Sequence, residues 1–422
     1  MRGKKVFFGF VLVLFIVGCA STKLSRSLSK KMAGSFYDNQ FTGMYIYDVK
    51  AAKVLFNHNG EEYFTPASNT KIVTLFTGLT LLSDSIPAVK YAIDKDTITI
   101  QGTGDPTFLH NYFKDSTALK LVKNYAKINI IANNTTDKRY GPGWAWEDFD
   151  AYYSAERSAF PIYGNVVTVK NEDSIVVQPA YYQQKIKITD NFYGRDEYQN
   201  NFYVKKDKKS TTEIPMMMDK SLTSSLWNAL LPSKVSLIQT SAIQPATIAY
   251  SVPSDSLYRR MMEVSDNFLA EQLLILASST LSDTLSSSKA RKYMLEIHLK
   301  ELKHPPRWVD GSGLSRYNLF TPMSLVAVLT KLYKTIPQKR LFHLFPVGGK
   351  FGTIKNWYAG TDSPYVFAKS GTVGNNHNIS GYLLTKSGKV LVFSFMNNHF
   401  KKSNDAIRTQ MQQTFEWLRD QY

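Results

Sequence analysis

Sheet-forming segments stand at both ends of this chain, and a long stretch of different texture stands between them. Gly43-Met44-Tyr45-Ile46-Tyr47-Asp48 and Lys53-Val54-Leu55-Phe56 read as strand, turn and strand. Far downstream, Tyr365 to Ala368, Ile379 to Thr385 and Lys389 to Phe395 read as three more strands, the last two joined by the turn Lys386-Ser387-Gly388. A helix from Asp405 to Leu418 closes the sequence. The economical arrangement is one α/β (α+β) domain whose sheet is shared by the two ends and split by an insertion. At 422 residues the chain has room for both, being roughly two to three times a typical domain.

The middle supports that division. From about Lys90 to Ser251, short alternating runs dominate, such as Thr97-Ile98-Thr99-Ile100, Val166-Val167-Thr168-Val169, Ser174-Ile175-Val176-Val177 and Lys185-Ile186-Lys187-Ile188. Tyr and Phe are dense there, and one helix is expected over Thr117 to Tyr125. Lys205-Lys206-Asp207-Lys208-Lys209 reads as a solvated loop. Helical patterning lies on either side of the stretch. Apolar Ile72, Val73, Leu75, Phe76, Leu79 and Leu82 follow Pro66-Ala67-Ser68, and Asp255 to Val264 and Asn267 to Ser278 form a pair broken at Ser265-Asp266. A further helix starts at Thr321-Pro322, with Thr as cap and Pro in first position. The expected domains are 35–88 with 250–422, and an inserted β-rich domain over 89–249.

Several chemistries are excluded early. One Cys rules out a disulfide framework and Cys-rich metal sites, and the seven His residues show no ligand spacing, so neither metal nor cofactor is implied. There is no G-x-S-x-G, H-E-x-x-H or Walker-type loop. A formal net charge of +17 favours anionic partners, but the basic residues are dispersed and no nucleic-acid motif accompanies them.

Three short motifs remain. Ser68-Asn69-Thr70-Lys71 opens an apolar helix, where residues three apart share one side of a turn and the helix N-terminus favours a developing negative charge on Ser68. A Lys beside a second cation loses its proton more readily and can then act as base for the hydroxyl. Ser265-Asp266-Asn267 sits in a helix–helix break, which suits a plain N-cap as well as a proton relay with a substrate-holding amide. Lys369-Ser370-Gly371-Thr372 ends a strand, with a cation and two hydroxyls suited to a carboxylate and a Gly that permits close backbone approach. Each is weak alone, but S-x-x-K, S-x-N and K-[ST]-G in this order form a specific set.

In that set the chain resembles the serine penicillin-recognising enzymes. The long β-rich interval between Ser68 and Ser265 makes it similar to the D-alanyl-D-alanine carboxypeptidase/endopeptidase family with a large insertion, the class C low-molecular-mass penicillin-binding proteins. Further segments carry the likeness: Gly102-Thr103-Gly104-Asp105-Pro106-Thr107, Pro142-Gly143-Trp144-Ala145-Trp146-Glu147-Asp148, Tyr153-Ser154-Ala155, Asp310-Gly311-Ser312-Gly313-Leu314-Ser315-Arg316 and Gly352-Thr353-Ile354-Lys355. Ser370 stands where Thr is commoner, and the surroundings of Phe351 and Trp357 depart from the family's polar pattern.

The resemblance implies a β-lactamase/DD-peptidase-like antiparallel sheet flanked by helices, and roles for matching positions. Ser68 would be the acylated nucleophile and Lys71 its base. Ser265 and Asn267 would pass a proton to the leaving group and hold the substrate amide, and Lys369 would support them. Ser370, Gly371 and Thr372 would bind the terminal carboxylate, with the backbone N–H groups of Ser68 and Thr372 as oxyanion hole. Asp148, Tyr153 and Arg316 match places that hold the side chain of the stem peptide's diamino acid. The implied partners are peptidoglycan stem peptides and β-lactam antibiotics, with carboxypeptidase and endopeptidase action both open. Two other readings are a β-lactamase, for which no E-x-x-L-N segment is found, and an inactive wall-binding lipoprotein, which would have no need of Ser68, Lys71, Ser265, Asn267 and Lys369 together.

The N-terminus reads as an address. Arg2, Lys4 and Lys5 precede an apolar Val6 to Val17, and Ile16-Val17-Gly18-Cys19 resembles a bacterial lipobox. The expectation is a signal peptide over 1–18, lipidation at Cys19, a polar tether over 19–34, and an envelope lipoprotein facing the periplasm from the outer membrane. No later apolar run approaches the ~20 residues that span a bilayer.

Overall fold

The computed structural model describes residues 23–422 except 173, 191–193, 206–209, 233, 241 and 362. The signal peptide, Cys19 and the start of the tether lie outside the described residues, as does all but Lys205 of the basic loop. Two compact units are present. The first comprises the described residues up to Ile72 with Glu301–Arg307 and Asn318–Tyr422; the second comprises Val73–Lys300 and Trp308–Tyr317.

The first unit is built on a five-stranded sheet in the order Val366–Val373, Asn376–Leu384, Val390–Asn398, Phe41–Asp48, Lys53–His58. Every pairing is antiparallel, and Phe41↔Asn398 through Asp48↔Leu391 join the early strand to the late one. Thr42 Oγ1 donates to Asn397 Oδ1 at 2.9 Å across a sequence separation of 355. The sheet is shared by the two ends, as the strand pattern implies. The helix Asn404–Gln421 buries Ile407, Met411, Phe415 and Leu418 against it. That stripe follows the 3.6-residue period, and each such side chain contributes about 1.5–3 kcal/mol. The helix Pro322–Thr335 starts as its sequence predicts: Ser324 N donates to Thr321 Oγ1 at 3.0 Å, and Thr321 N donates back to Ser324 Oγ at 3.1 Å.

The tether expectation needs correction. Residues 23–32 are helical, and Leu24, Leu28 and Met32 are 4%, 0% and 4% exposed within the core that also holds Phe395 and Phe415. Their spacing of four places them on one face. The Ser, Lys and Arg residues between them cover the other face and gave the segment its polar look.

The second unit contains a mixed five-stranded sheet, in the order Val235–Leu237, Lys127–Ile131, Thr97–Gly102, Ser85–Asp94, Thr247–Pro253, and two three-stranded sheets. The two ends of the expected insertion are antiparallel neighbours, with Val89 opposite Ala249. A buried carboxyl ties this neck. Ser251 Oγ donates to Asp105 Oδ2 at 2.8 Å and Thr107 N donates to Asp105 Oδ1 at 2.8 Å. Burial pushes Asp105 up to about 7, against the pull of these bonds. The unit also takes in elements expected with the ends of the chain: most of the helix Lys71–Leu81 and the helices Ser254–Glu263 and Asn267–Ser278. The cause is close packing around Asn267–Ser278, which is buried from Phe268 onward. A methyl group at Gly78 would fall 2.6 Å from the Tyr258 ring, and Thr74 Oγ1 donates to Gly311 O at 2.7 Å.

Candidate active site

Ser68 lies in a single 3₁₀ turn, Ala67–Thr70, that leads into the helix beginning at Lys71. Ala67 has φ of +47°, a left-handed conformation that costs a residue with a Cβ roughly 1–3 kcal/mol and persists only where neighbours hold it. Here they do. Asn378 Nδ2 donates to Thr65 O at 2.9 Å, Thr65 N donates to Asn398 Oδ1 at 2.7 Å, and Asn69 Nδ2 donates to Ser380 Oγ at 2.8 Å. Three buried polar residues of the late strands therefore clamp the turn from below. Sequence reasoning missed all three; a polar residue at alternate positions of an otherwise apolar strand was the available signal.

On this turn Ser68 is half-buried and Lys71 is fully buried, at 0% exposure. Lys71 Nζ lies 3.1 Å from Ser68 Oγ, within reach for proton transfer. The strand Val366–Val373 passes alongside. Lys369 is also 0% exposed and donates to Ser370 O at 2.6 Å. Burial, and then the neighbouring Lys71, hold its amine well below the ordinary lysine range. Gly371 approaches most closely: a methyl group there would fall 2.6 Å from Pro66 O, 2.8 Å from Ser68 N and 2.9 Å from Asn69 N. Ser370 Oγ donates to Thr353 Oγ1 at 2.7 Å, and the exposed Thr372 meets His377 Nδ1 at 2.7 Å. His377 is buried and neutral, pushed down to about 3 by burial and then by Arg408 and Lys369.

The second unit carries the remaining candidates. Ser265 has φ of +60° in the break between the two helices. Asp266, not Ser265, is the cap, accepting from Leu269 N at 3.0 Å. Asn267 Nδ2 donates to Tyr153 O at 3.0 Å, and Tyr153 Oη donates to Asp148 Oδ1 at 2.8 Å. Burial and then this carboxylate raise Tyr153 to about 12, so its hydroxyl keeps its proton. Arg316 is exposed on the loop 308–317, whose shape comes from two buried carboxylates. Asp310 accepts from Gly313 N at 2.9 Å, Ser315 N at 2.6 Å and Trp144 Nε1 at 3.0 Å, while Glu271 accepts from Gly311 N at 3.0 Å and Ser312 N at 2.7 Å. These bonds bring the Arg316 loop against the segment that ends in Asp148.

One cluster thus unites Ser68, Lys71, Lys369, Ser370, Gly371 and Thr372, and a second unites Asn267, Tyr153 and Asp148 beside Ser265. Among the described residues, no three His, Cys, Asp or Glu side chains are grouped as metal ligands.

The model of the D-Ala-D-Ala carboxypeptidase 3 (S13) family matches residues 24–421. The D-alanyl-D-alanine carboxypeptidase DacB of Haemophilus influenzae is 22% identical over 433 residues, spanning 89% of this chain and 89% of that protein. The crystal structure of penicillin binding protein 4 from the same organism superposes with a TM-score of 0.72 at 18% identity, covering 94% of this chain and 99% of that one. Its complex with a β-lactam gives 0.65 at 18% identity, covering 93% and 98%. Helix-flanked sheets with a β-rich insertion are common to both folds.

Proposed function

The chain belongs to the D-Ala-D-Ala carboxypeptidase 3 (S13) family and is a serine-type, penicillin-binding DD-peptidase, and from that premise we propose which residues carry the reaction. The observation that carries the assignment is the 3.1 Å approach of Lys71 Nζ to Ser68 Oγ on a turn that Gly371 alone is small enough to meet.

Lys71 takes the hydroxyl proton as Ser68 Oγ attacks the carbonyl carbon of the penultimate D-Ala. The carbonyl oxygen becomes an oxyanion facing the N–H groups of Ser68 and Thr372, each donor lowering the barrier by roughly 3–4 kcal/mol. The C–N bond breaks, the departing amine takes a proton through Ser265, and the acyl group stays on Ser68 as an ester. Water then cleaves the ester and restores the hydroxyl. Asn267 holds the substrate amide, Lys369 supports this polar network, and Ser370 and Thr372 hold the terminal carboxylate. A β-lactam follows the first step, but its leaving group stays tethered, so the ester persists. Asp148, Tyr153 and Arg316 receive the side chain of the diamino acid, a reading supported by the Tyr153–Asp148 bond. Cys19 anchors the protein by lipid in a bacterial envelope, facing the periplasm; the support is the sequence from Arg2 to Cys19.

Fluorescent penicillin labelling and muropeptide cleavage test the core of this reading. Ser68→Ala removes both while leaving the unfolding temperature nearly unchanged, and Lys71→Ala does almost the same. Stable labelling of Ser68→Ala would move the nucleophile elsewhere.

A further inference from the structure

His377 has no part in the chemistry above, yet its ring touches the residue assigned to the substrate carboxylate. The two residues are direct partners across the hairpin formed by Val366–Val373 and Asn376–Leu384. Thr372 is exposed, His377 is 2% exposed, and Thr372 Oγ1 stands 2.7 Å from His377 Nδ1. A carboxylate only accepts hydrogen bonds, so a threonine that binds one must offer it the hydroxyl proton. A neutral imidazole carries one N–H, and which nitrogen holds it decides where that hydroxyl proton points. If Nδ1 is bare, it takes the Thr372 proton and leaves lone pairs facing the anion. If Nδ1 carries the proton, it fills one lone pair of Oγ1, and the hydroxyl proton turns outward. Arg408 and Lys369 both act to disfavour a second proton on the ring.

We propose that His377 is a positioning residue whose Nδ1–H donates to Thr372 Oγ1, reserving the Thr372 hydroxyl proton for the terminal carboxylate of the substrate. This rests on Thr372 being a carboxylate ligand.

The test is a double-mutant cycle with a peptide ending in D-Ala-D-Ala, beside nitrogen NMR of the wild-type imidazole. Thr372→Ala and His377→Leu each raise KM more than they lower kcat, with kcat/KM falling roughly tenfold. His377→Asn, whose amide nitrogen can replace the Nδ1 donor, restores most of the loss. The double variant is no worse than Thr372→Ala alone. The nitrogen spectrum shows a protonated Nδ1 and a bare Nε2, a result that stands even if His377→Leu fails to fold. A bare Nδ1 overturns the proposal, as does a His377→Leu defect that persists undiminished without the threonine hydroxyl. Loss in Thr372→Ala with none in His377→Leu also overturns it while leaving Thr372 as the ligand. No loss in Thr372→Ala overturns both assignments together.

Discussion

Gly371 passes so close to Ser68 that a single methyl group on it would lie 2.8 Å from the Ser68 nitrogen. The atoms in the way are backbone, which cannot swing aside as a side chain can. Gly371→Ala therefore has to push the strand from the turn, displacing Thr372 and Lys369 with it. Overpacking of this kind costs roughly 1–3 kcal/mol of stability. The expected result is penicillin acylation slowed at least ~100-fold, because a shift of about 1 Å at a reacting centre is worth that much. Stopped-flow acylation rates and thermal unfolding check it. An unchanged rate would mean that the strand does not border the reacting group.

Lys369 gives stability a pH dependence of known sign. Its folded-state amine is held well below the ordinary lysine value of 10.5 by burial and then by Lys71. In the window between that depressed value and 10.5 the unfolded chain binds the extra proton, so folding is favoured as pH rises and weakened as it falls. The slope approaches 1.4 kcal/mol per pH unit where the two states differ by a full proton. Denaturant midpoints at pH 7 to 10 should climb for the wild type and stay flatter for Lys369→Met.

Arg316 should separate natural substrate from antibiotic. If it grips a carboxylate on the stem peptide, Arg316→Ala loses a charge-assisted bond of about 1.5–3 kcal/mol. Muropeptide cleavage then falls roughly tenfold or more, while penicillin labelling, which lacks that group, persists. Equal losses in both assays would assign Arg316 a general supporting role.

Leu28 tests whether the segment after the address is folded. At 0% exposure it fills the core against the sheet. Leu28→Ala should cost roughly 2–5 kcal/mol, seen as a lowered unfolding midpoint. A flexible tether would lose nothing measurable.

Cys19→Ser should release the protein from membranes and block lipid labelling, since no helix among the described residues is long and apolar enough to cross a bilayer. Unchanged fractionation would remove the lipid-anchor assignment.

The sequence exposed local signals and concealed those that depend on register. Thr321-Pro322 and the stripe Ile407, Met411, Phe415 and Leu418 were legible because a cap and a 3.6-residue period are contained in one segment. The motif residues were legible as residue types at short spacing. Leu24, Leu28 and Met32 were not, because three apolar positions among basic and hydroxyl residues acquire meaning only from the surface they cover. His377 looked like any scattered histidine, since it stands only five residues from Thr372 but meets it through the register of the hairpin, which the sequence pattern left open. The clamp by Asn378, Asn398 and Ser380 is hidden for the same reason, with separations above 300 residues. Asp266 as helix cap was ambiguous with Ser265, two capping residue types being adjacent.

The pairing of Phe41–Asp48 with Val390–Asn398 also sets an order of events in synthesis. The hydroxyl of Ser68 emerges early, but the strands that brace its turn, through Asn378, Ser380 and Asn398, emerge more than 300 residues later. An unfinished chain thus holds the proposed nucleophile without its support, and long-range pairing of this kind is slow to form. Reactivity is therefore postponed until the strands carrying Asn378, Ser380 and Asn398 have been delivered. A chain stalled or truncated before Val366 would meet an antibiotic in its surroundings without being consumed by it.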